Sequence, residues 1–151
     1  MKKLMLSLSL LLLGSLMAQA QEANLIRELF NAEKKAVVGD FLELSDADAA
    51  KFWPLYEEYE AARRSIADSR ISNLKKYADQ YANLTDDQAD ALVQNSLKNM
   101  KASDKLQAKY YKKIKKALSA KQATSWLQLE EYIQTALRMD LLDNIPFVGE
   151  Y

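Results

Sequence analysis

Three copies of one short phrase punctuate this chain: Leu44-Ser45-Asp46-Ala47-Asp48-Ala49, Leu84-Thr85-Asp86-Asp87-Gln88-Ala89 and Leu118-Ser119-Ala120-Lys121-Gln122-Ala123. Each reads leucine, hydroxyl residue, two variable positions, an acceptor side chain, alanine. The hydroxyl accepts a hydrogen bond from the backbone N–H three residues on. The Gln or Asp at that position reaches back to the N–H of the capping residue. The leading leucine stands where a hydrophobic staple residue stands, although alanine makes it a weak partner. The phrase is therefore a helix start, and Leu44, Ser45, Asp48, Leu84, Thr85, Gln88, Leu118, Ser119 and Gln122 are read as structural motif residues.

Composition agrees with helices. Three glycines and two prolines in 151 residues are too few for a turn-rich β-fold. The first twenty residues stand apart from the rest. Lys2 and Lys3 precede an apolar run from Leu4 to Leu13, Gly14 breaks it, and Ala18-Gln19-Ala20 supplies a small-x-small cleavage signal. The run is shorter than the roughly 20 residues a membrane span needs. Residues 1–20 are read as a signal peptide cleaved after Ala20, with an uncleaved anchor as the alternative, and residues 21–151 as one exported helical domain. No cysteine follows the apolar run, which excludes lipid attachment at a lipobox.

Along the exported part, Leu25, Ile26, Leu29, Phe30, Ala36 and Val37 form a helical stripe that Gly39 is expected to close. Phe41 and Leu42 fall in a link and are expected to be buried. Ser45 opens a long helix with Phe52, Tyr56, Tyr59, Ala62, Ile66, Leu74, Tyr77 and Tyr81 on one face, and Pro54 predicts a kink or brief break near Trp53. Thr85 opens a helix with the stripe Ala89, Leu92, Val93, Ser96, Leu97, Met100, Tyr110, Ile114 and Ala117. Ser119 opens the last, with Trp126, Leu129, Tyr132, Ile133, Ala136 and Leu137 inward and Asp143, Asn144 and Pro146 as its stop. The short turn at Asn83-Leu84 predicts an antiparallel hairpin whose facing residues have numbers summing to about 168. The expected architecture is all-α: elongated antiparallel helical hairpins, four main helices, the second kinked near Pro54.

Chemistry-bearing patterns are sparse. The full chain has 21 basic and 21 acidic residues, so net charge singles out neither nucleic acid nor an anionic membrane. The lysine run from Lys98 to Lys121 is read as a solvated face partly neutralised across the hairpin by Asp46, Asp48, Glu57, Glu58 and Glu60, with Arg63 and Arg64 facing Asp104. Attraction of acidic unfolded clients is the alternative. Glu57/Glu58, Asp86/Asp87, Glu130/Glu131 and Asp140/Asp143 are read as surface pairs, because adjacent helical residues diverge by about 100°. No cysteine or histidine is present, which removes thiolate and imidazole ligands. No phosphate loop, nucleophile elbow or metal-ligand spacing occurs. No catalytic residue, cofactor or metal is expected, and the chain is not expected to be an enzyme.

The aromatic residues Tyr56, Tyr59, Tyr77, Tyr81, Tyr110, Tyr111, Trp53 and Trp126 lie on or beside the apolar stripes, and most are read as core. Thin hairpins have little interior, however, so some stripe is expected to meet a second subunit or a partner.

On the residues Leu84-Thr85-Asp86-Asp87-Gln88 and Leu118-Ser119-Ala120-Lys121-Gln122 the chain resembles the Spy/CpxP-like periplasmic proteins, which carry repeated Leu-Thr-x-x-Gln motifs. The first matches outright, the second has Ser for Thr, and the Leu44 copy has Asp48 where the motif has Gln. The segment Phe52-Trp53-Pro54-Leu55-Tyr56 looks like a separate branch of such proteins. The resemblance implies a periplasmic, helical homodimer forming a cradle. It implies an ATP-independent chaperone that shields unfolded or stressed polypeptides on a mixed apolar and basic face. The alternative it carries is a regulatory adaptor for an envelope-stress sensor domain. Metal-sensing relatives rely on histidine-rich sites, which this chain lacks.

Overall fold

The structure, a computed structural model, describes residues 30–142 together with 145, 146 and 148. Among them every regular element is helical: α1 over residues 30–42, α2 over Asp46–Gln80, a 3-10 turn over Tyr81–Asn83, α3 over Asp86–Ala117 and α4 over Ala120–Leu142. The fold is all-α with four main helices. The proposed signal peptide, residues 1–20, lies outside the described residues, as do Leu25, Ile26, Leu29, Asp143 and Asn144. Contacts divide the chain into two compact units, Met1–Glu43 and Leu44–Tyr151.

In the first unit Gly39 does not end its helix. α1 continues through it to residue 42, and Glu43 takes the left-handed turn with φ 43°. The Glu43 N–H donates to the Gly39 carbonyl at 3.2 Å, closing the last turn. A glycine inside a helix costs only about 1 kcal/mol, so it permits a stop without imposing one. Phe41, expected to be buried in a link, is instead helical and 55% exposed.

In the second unit α2 carries Pro54 in its interior, yet the helix runs without a break from Asp46 to Gln80. Pro54 and Ala50, whose carbonyl loses its usual donor, are both exposed, so water can serve that carbonyl. The buried side of the same turns holds Phe52, Tyr56 and Tyr59. Their packing outweighs a penalty of about 3 kcal/mol.

Named pairs give the register. Glu58 meets Tyr110 and Lys113, Tyr59 meets Tyr110, and Asn73 meets Leu92 and Ser96. Rising numbers in α2 thus face falling numbers in α3. Asp48 meets Gln122, Tyr59 meets Trp126 and Glu130, and Tyr77 meets Pro146, so α4 runs alongside α2 in the same direction.

The core concentrates where all three helices meet. Phe52, Tyr56 and Tyr59 of α2, Tyr110 and Ile114 of α3, and Ala123, Trp126 and Leu129 of α4 are buried there. Tyr59 sits at the junction, 1% exposed, with its ring edge-on to Tyr110 at 5.5 Å and to Trp126 at 5.1 Å. Its hydroxyl donates to Glu130 Oε1 at 2.8 Å, and Gln134 Nε2 donates to the same oxygen at 3.0 Å. Burial, with the Glu130 charge behind it, pushes the Tyr59 phenol well above its ordinary range, so it stays a neutral donor. Burial does the same to Tyr56, with Glu60 and Glu130 adding to it. Beside them Arg63 forks onto Glu60 at 2.9–3.2 Å.

Further from that junction the α2–α3 seam becomes polar. Asn73 is buried and donates to the Leu92 carbonyl and to Ser96 Oγ, both at 3.0 Å, and Asn99 is buried as well. The inward line of α3 runs Leu92, Asn99, Leu106, Tyr110, Ile114, Ala117. Val93, Leu97 and Met100, expected on that line, are exposed by 54%, 43% and 45%. Asn73 of α2 bridges the seam to Leu92 and Ser96, Asn99 takes the buried position seven residues on from Leu92, and the apolar neighbours are rotated outward.

Replacing Tyr59 by Phe strips a buried carboxylate of one donor and is expected to destabilise by about 1–3 kcal/mol in urea unfolding. The tyrosines also set an alkaline limit. Unfolded phenols ionise near pH 10, whereas the folded Tyr56 and Tyr59 resist ionisation, so the folded state holds more protons above that pH. The contribution of these tyrosines is constant below about pH 10 and falls as pH rises from there toward the folded values, by about 1.4 kcal/mol per pH unit per tyrosine. In pH-dependent unfolding Tyr59→Phe should make this alkaline slope shallower without abolishing it, because Tyr56 and Tyr110 are held protonated as well.

Candidate functional site

The nine motif residues occupy both ends of the second unit and do different things in each copy. At Thr85 the capping box is complete. Gln88 N donates to Thr85 Oγ1 at 3.3 Å, and Thr85 N donates to Gln88 Oε1 at 2.9 Å. At Ser45 it is half made, with Asp48 N donating to Ser45 Oγ at 3.3 Å while the Asp48 carboxylate turns elsewhere. At Ser119 Gln122 N donates to Ser119 Oγ at 3.2 Å, but the Gln122 side chain accepts from that hydroxyl at 2.7 Å rather than from the backbone. Leu44, Leu84 and Leu118 are half-buried.

Parallel packing of α2 and α4 brings the first and third copies together. Gln122 Nε2 donates to Asp48 Oδ2 at 3.0 Å, clasping two helix starts that are 74 residues apart. That contact accounts for the departure at Asp48: a carboxylate accepts the amide, and Gln122 keeps its own oxygen for Ser119. Gln122 is the main reason the Asp48 carboxyl sits below the usual carboxylate range, and Lys51 at 3.5 Å adds to it. The Thr85 copy stands at the other end of α2, beyond the 3-10 turn.

Glu58 and Glu130, from two of the carboxylate pairs, have separate surroundings. Glu58 is engaged by Lys113 at 2.7 Å, which holds its carboxyl low and raises the lysine in turn. Glu130, read as a surface charge, is 1% exposed, while Glu131 is exposed. The spacing Trp126, Glu130, Ile133 carried the signal, since it repeats the three-and-four step of the buried face. Among the described residues no group of three His, Cys, Asp or Glu side chains is placed to hold a metal ion. Nor is any described helix long and apolar enough to cross a membrane.

What the structure offers outward is apolar and basic. Ile71 on α2, Val93, Leu97 and Met100 on α3, and Tyr132, Met139, Leu141 and Leu142 on α4 are all exposed. Gln94, Leu97, Lys98, Lys101, Ala102 and Lys105 line a surface depression along α3. Of the lysine run, Lys113 pairs with Glu58 and lies over the Tyr110 ring at 4.8 Å, with Lys109 near the same ring at 5.5 Å. Cross-hairpin neutralisation therefore reaches this end of the run, and among the described residues Lys98, Lys101 and Lys105 have no ion pair.

No protein-family model, curated protein or solved structure matches the chain.

Loss of the Thr85 cap by Thr85→Ala is expected to cost about 1 kcal/mol in thermal or urea unfolding. Ser119→Ala should cost at least as much, because the hydroxyl also orients Gln122. The Asp48 contribution is present above the unfolded carboxyl value near pH 3.9 and is lost as pH falls through the lower folded value. Asp48→Asn should remove that part of the acid dependence in melts recorded between pH 5 and pH 2.

Proposed function

We propose that this is an exported, non-enzymatic binding protein of the Spy/CpxP-like kind, acting in the periplasm as an ATP-independent chaperone for unfolded or stressed polypeptides. The observation that carries the reading is the outward rotation of Val93, Leu97 and Met100 on α3, beside the exposed Lys98, Lys101 and Lys105. Large apolar side chains gathered on a charged helix suit transient capture of apolar segments, with the lysines keeping the surface wet between encounters. The repeated capping phrases and the signal-like leader support the same reading. Homodimer formation fits it too, since a second copy would cover part of the exposed apolar area. The regulatory adaptor is the competing account.

Protein purified after expression of the full-length sequence is expected to suppress light scattering by a denatured client at near-stoichiometric ratio without nucleotide. Leu97→Ser together with Met100→Ser should weaken that protection while shifting the melting temperature little, because both positions are exposed. Unchanged client scattering with the parent protein overturns the reading. Recovery of one dominant partner from an envelope extract, in place of a broad spread, replaces it with the adaptor.

A further inference from the structure

We infer that Arg70 on α2 and Arg138 on α4 together form an anion site that takes a phosphate group, free or as a monoester. The inference is independent of the binding function proposed above. Two contacts bracket the place: the Tyr59 hydroxyl donates to Glu130 Oε1 and the Tyr77 hydroxyl donates to the Pro146 carbonyl, each at 2.8 Å. The partners in these contacts lie 71 and 69 residues apart in the chain. The same offsets from Arg70 reach residues 141 and 139, so Arg138 stands within one turn of its level. Arg70 follows Tyr59 by about three turns and precedes Tyr77 by about two, which places all three on one face of α2. On α4, Arg138 continues the four-residue step from Glu130 through Gln134.

Among the described residues neither Arg70 nor Arg138 has a hydrogen bond or an ion pair. Arg63, nearer the aromatic junction, is by contrast forked onto Glu60 at 2.9–3.2 Å. Arg70 is half-buried. That burial, and then the charges of Arg138 and Arg63, hold its pKa below the ordinary arginine value, with Asp104 of α3 the acid that opposes them. Two like charges on facing helices thus repel across a seam that is fastened on either side of them. A bound anion reverses the sign of that interaction and supplies acceptors for the guanidinium donors. The shape of the anion follows from the donors. Each guanidinium is a planar fork with five N–H groups, and the two oxygens of a carboxylate lie in one plane and match one fork. Two forks from different helices call for oxygens fanned out of a single plane, and for two negative charges. A phosphate group meets both conditions, since the second ionisation of a monoester falls near pH 6.

Isothermal titration of inorganic phosphate, O-phosphoserine and acetate into protein purified from full-length expression, at about pH 8 and low ionic strength, tests the site. Saturable binding of inorganic phosphate or O-phosphoserine is expected, and the tighter of the two tells whether the group is taken free or as a monoester. Arg70→Gln and Arg138→Gln should each weaken it by about tenfold. Arg138→Lys should recover only part of the loss, because an ammonium group makes no bidentate contact. Lys121→Gln, exposed at the start of α4, should leave the affinity unchanged. Phosphate should raise the melting temperature of the parent beyond the effect of sodium chloride at equal ionic strength, and the double variant Arg70→Gln, Arg138→Gln should lose that difference. Without ligand the double variant is expected to melt no lower than the parent, which certifies that it is folded. Absence of saturable phosphate binding, equal affinity in parent and double variant, an equal effect of chloride, or acetate bound as tightly as phosphate overturns the site.

Discussion

The Tyr59–Glu130 hydrogen bond is the contact on which the three-helix junction turns. A carboxylate taken from water costs several kcal/mol unless donors reach it, and here they come from two helices: Tyr59 on α2 and Gln134 on α4. The geometry that brings both donors onto Glu130 Oε1 also fixes the Tyr59 ring against Trp126 and Tyr110. One side chain thereby sets the rotation of α2 about its axis relative to both neighbours. An apolar contact alone tolerates sliding; a short hydrogen bond to a buried charge does not.

The helix starts act at a second level. Complete capping at Thr85 serves α3 alone, while the half-made boxes at Ser45 and Ser119 spend their spare side-chain groups on each other through Asp48 and Gln122. A local signal has thus been turned to a tertiary use. It operates at one end of α2 and α4, where a shift of one helix against the other would separate the amide from the carboxylate. The aromatic junction and this clasp lie along the same pair of helices and impose the same register.

Where those constraints fade, the α2–α3 seam is held by Asn73 and carries Asn99, and the apolar residues of α3 turn outward. Buried asparagines specify register at a cost in stability, a trade known from coiled coils. The consequence for function is surface: Leu97 and Met100 stand beside lysines instead of inside the hairpin. Among the described residues no group of three His, Cys, Asp or Glu side chains is placed to hold a metal ion, while α3 exposes apolar side chains beside lysines.

Helix class, the starts at Ser45, Thr85 and Ser119, and most of the aromatic core were legible in the linear order, because caps and three-and-four periodicity are local properties. Gly39 and Glu130 were misread for a common reason: glycine only permits a stop, and a carboxylate goes inside only when donors from another helix await it. The rotation of α3 that buries Asn99 and exposes Val93, Leu97 and Met100 was not legible either, since hydropathy ranks them the other way. Taken by itself, the amino-acid order determined where the rods begin and that they are helical. Which face of each rod turns inward was decided only in the assembled bundle, because that choice depends on hydrogen bonds between residues far apart in the chain: Asn73 to Leu92 and Ser96, Tyr59 to Glu130, Gln122 to Asp48.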